Sequence, residues 1–205
     1  WAKHSEPPKL NTDVSTFNEG TIQSWTIAPD SSAITMKVRK GIQFHRNAGE
    51  LDAFDVCFSM NDAIRQGSVN GRAAGIQRFV SAFECPDAST VVVKIKDSKI
   101  DPNWYRIIGS NNALGVPVMV SKKLYDKVGE AEFTTTPVGT GVMEPTEWIA
   151  SDHITAKPHL THYRAVPKIA SYRVVLMPEP STRIAALKSG QVTAARVPLK
   201  LISNT

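Results

Sequence analysis

The sequence has few cysteines and lacks a long apolar run. No stretch approaches the ~18 to 20 residues that a membrane-spanning helix needs, so we expect no membrane insertion. The two cysteines, Cys57 and Cys85, form no Cys-x-x-Cys pair and lack zinc-finger spacing, which argues against a metal site. Both lie among apolar residues. We therefore expect free, buried thiols, with a disulfide between them as the alternative.

Clusters of positive charge and catalytic signatures are also absent. The net charge is +5, but lysines and arginines are scattered singly among carboxylates, so we expect no nucleic-acid partner. There is no Gly-x-Ser-x-Gly elbow, no His-Glu-x-x-His helix and no complete dinucleotide- or phosphate-binding loop. With 41% apolar and 21% charged residues the chain is expected to fold. We predict that it is not an enzyme and needs no cofactor.

The first clear elements are a hairpin and a helix. The pattern from Trp25 to Arg39 predicts two strands joined by a turn at residues 29–32, with Ile34, Met36 and Val38 on the buried face. Asp52 is expected to cap a helix that carries Asp55 in its first turn and ends near Gln66-Gly67. The apolar side of that helix is predicted to consist of Phe54, Cys57, Phe58 and Ile64.

Strands and helices then alternate, which is typical of an α/β fold. Residues 90–96 and 116–120 are predicted strands, and a helix capped by Ser121 follows and closes at Gly129.

The last part of the chain begins with a predicted loop at residues 134–141, where Gly139 and Gly141 permit backbone conformations that other residues resist. Residues 172–177 are a predicted buried strand. They precede a helix over residues 182–189 that is capped by Ser181 and stopped by Gly190.

Four segments resemble the extracellular solute-binding proteins of family five, which include dipeptide-, oligopeptide- and nickel-binding components of ABC importers. The segments are Ser24–Asp30 leading into Met36–His45, Leu51–Met60, Thr136–Gly141 with Glu147-Trp148, and Pro178–Val192. The chain departs from the family pattern at Arg46-Asn47, usually Asp-Gly, at Val142-Met143, usually Pro-Tyr, and at Thr193, usually Asp. These departures alter local turns more than the fold.

The resemblance implies part of the first lobe of a two-lobe, type II periplasmic-binding-protein-like clamp. We expect a mixed sheet with flanking helices and an inserted small α+β subdomain at about 33–130. Residues 131–205 and the N-terminal segment would form the lobe core. The second lobe is expected to be absent. The strand that normally opens the sheet of the first lobe is weak or absent before Trp25, so we expect an incomplete sheet with an exposed edge.

The function implied by the resemblance is binding of a solute, peptide-like by expectation, for an ABC-type importer. The location would be periplasmic or extracellular, and the permease complex would be reached through the full-length protein. The alternative is a self-associating module that uses its exposed sheet edge. Metal or metal-chelate binding is third.

Ligand contacts are predicted in two loops. Trp104 and the loop residues Asn111 and Asn112 lie near an expected sheet edge, where α/β clefts collect ligands, although Trp104 could instead anchor the core. Gly139, Thr140 and Gly141 line the cleft by resemblance. The histidines at positions 45, 153, 159 and 162 lack metal-site spacing, and His45 is expected to be packed or hydrogen-bonded, so no metal ligand is predicted.

Overall fold

The computed structural model describes residues 20–108, 118–136 and 138–204. The strands in these ranges are β1 (Ile22–Ile27), β2 (Ala33–Val38), β3 (Val80–Asp87), β4 (Thr90–Ile95), β5 (Met143–Ile149), β6 (His153–Pro158) and β7 (Tyr172–Val175). The helices are α1 (Ala53–Ala63), α2 (Ala73–Gln77), α3 (Trp104–Ile108), α4 (Lys122–Thr135) and α5 (Pro180–Lys188). None of these described helices is both long and apolar enough to cross a bilayer.

The chain divides into two compact units. The first runs to Glu144 and includes His159–Pro167, and the second comprises Pro145–Pro158 and Lys168–Thr205. The subdomain boundary expected at about 33–130 stays a prediction.

The first unit is built on an antiparallel sheet with the strand order β1-β2-β4-β3. The predicted hairpin of β1 and β2 is confirmed, and β2 pairs along its other edge with β4, where Ile34 lies opposite Val93. Both of these residues are fully buried. The alternation of apolar and polar residues in β2 therefore marks the buried face correctly, because successive side chains of a strand point to opposite sides.

Helix α1 begins where the sequence predicts and ends earlier. The Asp52 side chain accepts the backbone N–H groups of Phe54 and Asp55, and the Asp55 carboxylate accepts the N–H of Asp52 in return, which forms a capping box. The predicted end near Gln66 is wrong, since the helix stops at Ala63.

The predicted apolar side of α1 is also partly wrong. Phe54 is 45% exposed, whereas the buried positions are centred on Val56, Cys57 and Met60. The sheet contacts α1 mainly through β3, a strand that the sequence pattern did not predict. The position of β3 therefore decided which stripe of the helix is buried.

The two cysteines are not free, which corrects the expectation of buried thiols. Cys57 in α1 and Cys85 in β3 form a disulfide with Cα atoms 6.2 Å apart. An apolar local sequence indicates burial but carries no information about a distant partner. The pairing depends on β3 lying beside α1.

Backbone hydrogen bonds to α1 hold the start of α4. The buried Asp55 carboxylate accepts the N–H of Lys122 at 2.8 Å, and the Ser59 hydroxyl accepts the N–H of Val120 at 3.0 Å. Ser121 caps α4 as predicted, by accepting the N–H of Leu124. Gly129, at φ 77° and ψ 168°, interrupts the helical conformation, but helix resumes to Thr135 instead of ending there.

Two expectations near α4 change as well. Residues 118–120, the described part of the strand predicted at 116–120, belong to no strand. Thr134 and Thr135, predicted to open a loop, still belong to α4.

The second unit contains the sheet β5-β6-β7 and helix α5. Strand β7 was predicted to be buried, but all four of its residues are exposed in the described part of the chain, where it forms an edge of this sheet. Helix α5 starts at Pro180 with Glu179 as its N-cap, so the predicted cap at Ser181 is wrong. Proline suits the first helical position because it lacks the N–H that would be unpaired there. Gly190, with φ 75°, follows the helix as predicted.

Candidate functional site

The loop after α4 is anchored to the core and ends at the surface. Val138 is buried, Gly139 and Thr140 are half-buried, and Gly141 is exposed. Three of the predicted ligand-contact residues therefore lie between the buried Val138 and the solvent-exposed end of the loop. We call residues 139–141 the glycine loop.

His45 forms three hydrogen bonds with the glycine loop. Its backbone N–H donates to the Gly139 carbonyl at 2.9 Å, and the Gly139 N–H donates to the ring Nδ1 at 3.2 Å. Since Nδ1 accepts, the ring proton is on Nε2, which donates to the Gly141 carbonyl at 2.9 Å. The expectation that His45 is packed and hydrogen-bonded is confirmed.

His159 reaches the same carbonyl from another part of the chain. Its Nδ1 lies 3.2 Å from the Gly141 oxygen, and its Nε2 lies 3.0 Å from the Thr161 hydroxyl. The carbonyl can only accept, so Nδ1 carries the proton and Nε2 accepts from Thr161. The backbone N–H of His159 donates to Val142, just beyond the loop. The rings of His45 and His159 meet edge to face, with centroids 4.9 Å apart.

The surroundings favour neutral rings in this cluster. Burial lowers the pKa of His45, and the hydrogen bond to Gly141 opposes this shift only in part. Burial also lowers the pKa of His162, whose ring centroid lies 6.1 Å from that of His159. At neutral pH these two rings are therefore mostly uncharged, and His45 holds the loop through hydrogen bonds of a neutral ring.

The glycines of this loop are not explained by the fold. Neither Gly139 nor Gly141 has a positive φ, so the loop does not use the backbone conformations that glycine permits and other residues resist. A Cβ atom added at either position would meet its nearest neighbour, His45 Cε1 or the Met143 oxygen, at 3.9 Å, which is ordinary van der Waals contact. The loop itself would accept alanine at both positions.

Thr140 lies between these glycines and carries polar groups that could bind another molecule. Within the described ranges, its N–H, carbonyl and hydroxyl make no hydrogen bond, although the loop residues on both sides of it are tied to His45 or His159. A half-buried residue with unpaired backbone groups on an anchored loop can bind polar atoms of another molecule.

The other predicted ligand contacts are Trp104, Asn111 and Asn112. Trp104 is only 8% exposed and packs against Trp25 and Tyr105, with ring centroids 6.0 and 6.2 Å away. Its surroundings are those of a core anchor, and its role as a ligand contact stays a prediction. Asn111 and Asn112 lie outside the described residues.

The sequence reasoning did not find His159 as a partner of the glycine loop. It lies 18 residues beyond Gly141, in a segment without a family motif, and no local pattern indicates the contact. Only the return of the chain after β6 brings its ring to the loop.

A second polar cluster lies in the second unit. His153 is buried, with Nε2 2.8 Å from the Glu147 carboxylate and Nδ1 2.8 Å from that of Asp152. The hydrogen bond to Glu147, and then that to Asp152, raises the pKa of His153, whereas the nearby Arg173 opposes this shift. The two carboxylates favour an imidazolium, although Arg173 Nη2 lies 2.9 Å from both ring nitrogens. Across the described ranges, no group of three or more His, Cys, Asp and Glu side chains is arranged to hold a metal ion.

Comparison with known proteins gives consistent matches. A family model described as bacterial extracellular solute-binding proteins, family 5 Middle, matches residues 16–204. The dipeptide-binding protein of Escherichia coli K12 is 23% identical over 185 residues, which cover 84% of this chain and 35% of that protein. The chain spans about a third of the length of the relatives it matches.

Two solved structures share the fold. One is NikZ from Campylobacter jejuni in complex with Ni(L-His), with a TM-score of 0.72 and 20% identity. The other is the oligopeptide-binding protein AppA from Bacillus subtilis in complex with a nonapeptide, with a TM-score of 0.72 and 21% identity. Each match covers 90% of this chain and 36% of the other. The predicted α/β, periplasmic-binding-protein-like fold class is confirmed.

Proposed function

This chain belongs to the bacterial extracellular solute-binding proteins of family 5, and on that premise we propose that it forms part of one jaw of a two-lobe clamp for a peptide-like solute. The clamp would deliver the solute to an ABC-type permease, outside the cytoplasmic membrane. The role is binding rather than catalysis. The disulfide between Cys57 and Cys85 supports this location, because disulfides persist in oxidising compartments.

The observation that carries the proposal is the glycine loop. Its two glycines are not required by backbone conformation or by packing, which leaves the close approach of another molecule as their physical reason. Between them, Thr140 offers a donor and acceptors of the type that pair with a peptide backbone. This complementarity and the peptide-binding relatives support a peptide-like solute.

A single jaw should bind weakly. The second lobe of a clamp normally removes water from the ligand and adds contacts, whereas in a lone jaw every hydrogen bond to the solute competes with solvent. We expect a Kd of about 1 mM or weaker for the 205-residue chain.

The test is an NMR titration of the ¹⁵N-labelled 205-residue chain with pools of random di-, tri- and tetrapeptides. Expected are fast-exchange shifts of the amides of Gly139, Thr140 and Gly141, while that of Gly67 stays unchanged as an internal control. The amides of Asn111 and Asn112 are followed in the same spectra because both are predicted contacts. If the amides of the glycine loop do not shift at about 10 mM peptide, the proposed binding site is wrong. A Kd near 1 μM contradicts the single-jaw arrangement.

Self-association is the second candidate, and the exposure of β7 favours it. Tyr172, Val174 and Val175 are all exposed on an edge strand, which could pair with a second copy of the chain. The mass in solution distinguishes the two candidates. If the chain is part of a solute-binding clamp it should be a monomer, whereas a self-associating module should be a dimer that the substitution Val174→Lys dissociates. A titration with Ni(L-His) tests the third candidate, metal-chelate binding.

A further inference from the structure

One carbonyl in the glycine loop is shared by two histidine rings from distant parts of the chain. His45 Nε2–H and His159 Nδ1–H converge on the Gly141 oxygen, at 2.9 and 3.2 Å. Each ring is also fixed through its second nitrogen, which accepts from Gly139 N–H or from Thr161. Both rings are therefore held in fixed orientations, with a proton on Nε2 of His45 and on Nδ1 of His159.

We propose that His45 and His159 are positioning residues that hold the glycine loop in its binding conformation, and that protonation of His45 in mild acid releases the loop. The consequence for solute binding rests on the function proposed above, with affinity lower in mild acid than at neutral pH. The release of the loop requires no solute and can therefore be tested independently of the proposed function.

The two rings differ in how they tolerate a proton. An imidazolium has two donors and no acceptor, so a proton on His45 Nδ1 would point at the Gly139 N–H that now donates to it. A proton on His159 Nε2 would instead meet the Thr161 hydroxyl, which can rotate and accept. His45 is therefore the sensitive group, and Gly139 is the residue that it must release.

The surrounding charges act mostly against protonation. Arg46 and His159 disfavour a proton on His45, and Glu144 favours one. His159, Arg164 and His45 likewise disfavour a proton on the neighbouring His162. The ring of His159 lies next to those of both His45 and His162, so a positive charge on one ring disfavours a positive charge on its neighbour.

The sign of the pH effect follows from the direction of the shift. The pKa of His45 in the folded protein lies below its ordinary value of ~6.5, so folding and the closed loop favour the neutral ring. The stabilisation is present above pH ~6.5 and is lost as the pH falls from there through the lowered pKa. Between pH ~6.5 and that lowered pKa, the ratio of held to released loop falls by at most about tenfold per pH unit.

A solute-free experiment tests the positioning role directly. Long-range ¹H–¹⁵N spectra of the 205-residue chain at pH 7.5 should show a proton on Nε2 of His45 and on Nδ1 of His159. On acidification, the Gly139 amide should lose its protection from exchange, corrected for the intrinsic pH dependence, at the midpoint where His45 titrates. Opposite tautomers, a His45 titration above pH ~6.5, or a Gly139 amide that stays protected while His45 titrates would each overturn the proposal.

Variants extend the test to solute binding. In the double variant His45→Gln/His159→Asn each side chain keeps an N–H that can reach Gly141 but no longer titrates, so peptide-induced shifts should become independent of pH from 5.5 to 7.5. The control His153→Gln removes a titrating histidine from the second unit and should keep the wild-type pH profile. A double variant that retains that profile contradicts the proposal. If the tautomers and Gly139 behave as expected but no peptide shifts the loop, the proposed function fails and the positioning role stands.

Discussion

The Asp55 carboxylate accepts the backbone N–H of Lys122 at 2.8 Å, which connects the first turn of α1 to the first turn of α4 across 67 residues. The same carboxylate accepts the N–H of Asp52 in the capping box. Asp55 is 1% exposed, and burial raises its pKa, although the two N–H groups work in the opposite direction. One side chain thus both starts a helix and positions the next element of the first unit.

Replacing Asp55 should therefore destabilise the first unit strongly. Asp55→Ala leaves the half-buried N–H groups of Asp52 and Lys122 without their acceptor, and we expect a loss of about 2 to 4 kcal/mol in the free energy of unfolding. Urea denaturation followed by circular dichroism measures it. The matched control is Asp62→Ala on the same helix, where an exposed carboxylate pairs with Arg65 and the expected loss is below about 0.5 kcal/mol. Equal losses would show that the buried hydrogen bonds contribute little.

The disulfide should stabilise the first unit through the chain it closes. Cys57 and Cys85 are 28 residues apart, and a loop of that length predicts about 2 to 4 kcal/mol lost on reduction. Urea unfolding with and without dithiothreitol measures the loss. The double variant Cys57→Ala/Cys85→Ala should match the reduced protein and no longer respond to the reductant. An unchanged midpoint on reduction of the wild type would refute a stabilising role.

Alanine in the glycine loop should separate stability from binding. Gly139→Ala and Gly141→Ala should change the free energy of unfolding by less than about 1 kcal/mol, because neither position needs a positive φ. Both should weaken the peptide-induced shifts of the loop amides, because an added methyl group would hinder the proposed close approach of a solute to the loop backbone. The control Gly129→Ala, at φ 77° and ψ 168°, should cost about 1 to 3 kcal/mol. Loop variants that bind peptide like the wild type would contradict the close approach of a solute to these two glycines.

His153 should give the second unit a pH dependence of opposite sign to that of His45. Its pKa is raised by Glu147 and Asp152, so the protonated ring is favoured in the folded state. The stabilisation is complete below the unfolded pKa of ~6.5 and is lost as the pH rises through the raised folded value. An NMR titration follows the deprotonation of the ring, and exchange of the β6 and β7 amides, corrected for intrinsic rates, follows the loss of stability. Both changes should occur over the same pH range. His153→Gln should abolish the alkaline transition, and its persistence in that variant would assign it to another group.

Several elements were predictable because their determinants are local. The β1–β2 hairpin follows from turn residues between alternating arms, and the start of α1 follows from a capping aspartate. The predicted start of α5 is two residues late because Ser181 has the chemistry of a cap, whereas Pro180 already fits the first turn. Strand β3 was missed, and with it the buried side of α1.

Some residues of the candidate site could likewise be predicted from the sequence, whereas others could not. Gly139, Thr140 and Gly141 could be selected from the sequence because the motif is contiguous, and Trp104 could be selected as an aromatic residue beside a loop. The contact between His159 and Gly141 could not, since it requires the chain to pass through β5 and β6 before returning. Burial could be predicted for Cys57, but its bond to Cys85 could not.

The sequence by itself determined the family, the α/β class and the positions of most turns and caps, because these depend on residues near each other in the chain. Tertiary structure alone decided the tautomers of His45 and His159, the disulfide and the anchoring of α4 by Asp55. Each of these depends on distances between atoms that are 18 to 96 residues apart in the chain. A hydrogen bond or disulfide forms only within a few ångströms, and only the packing of the elements sets such distances.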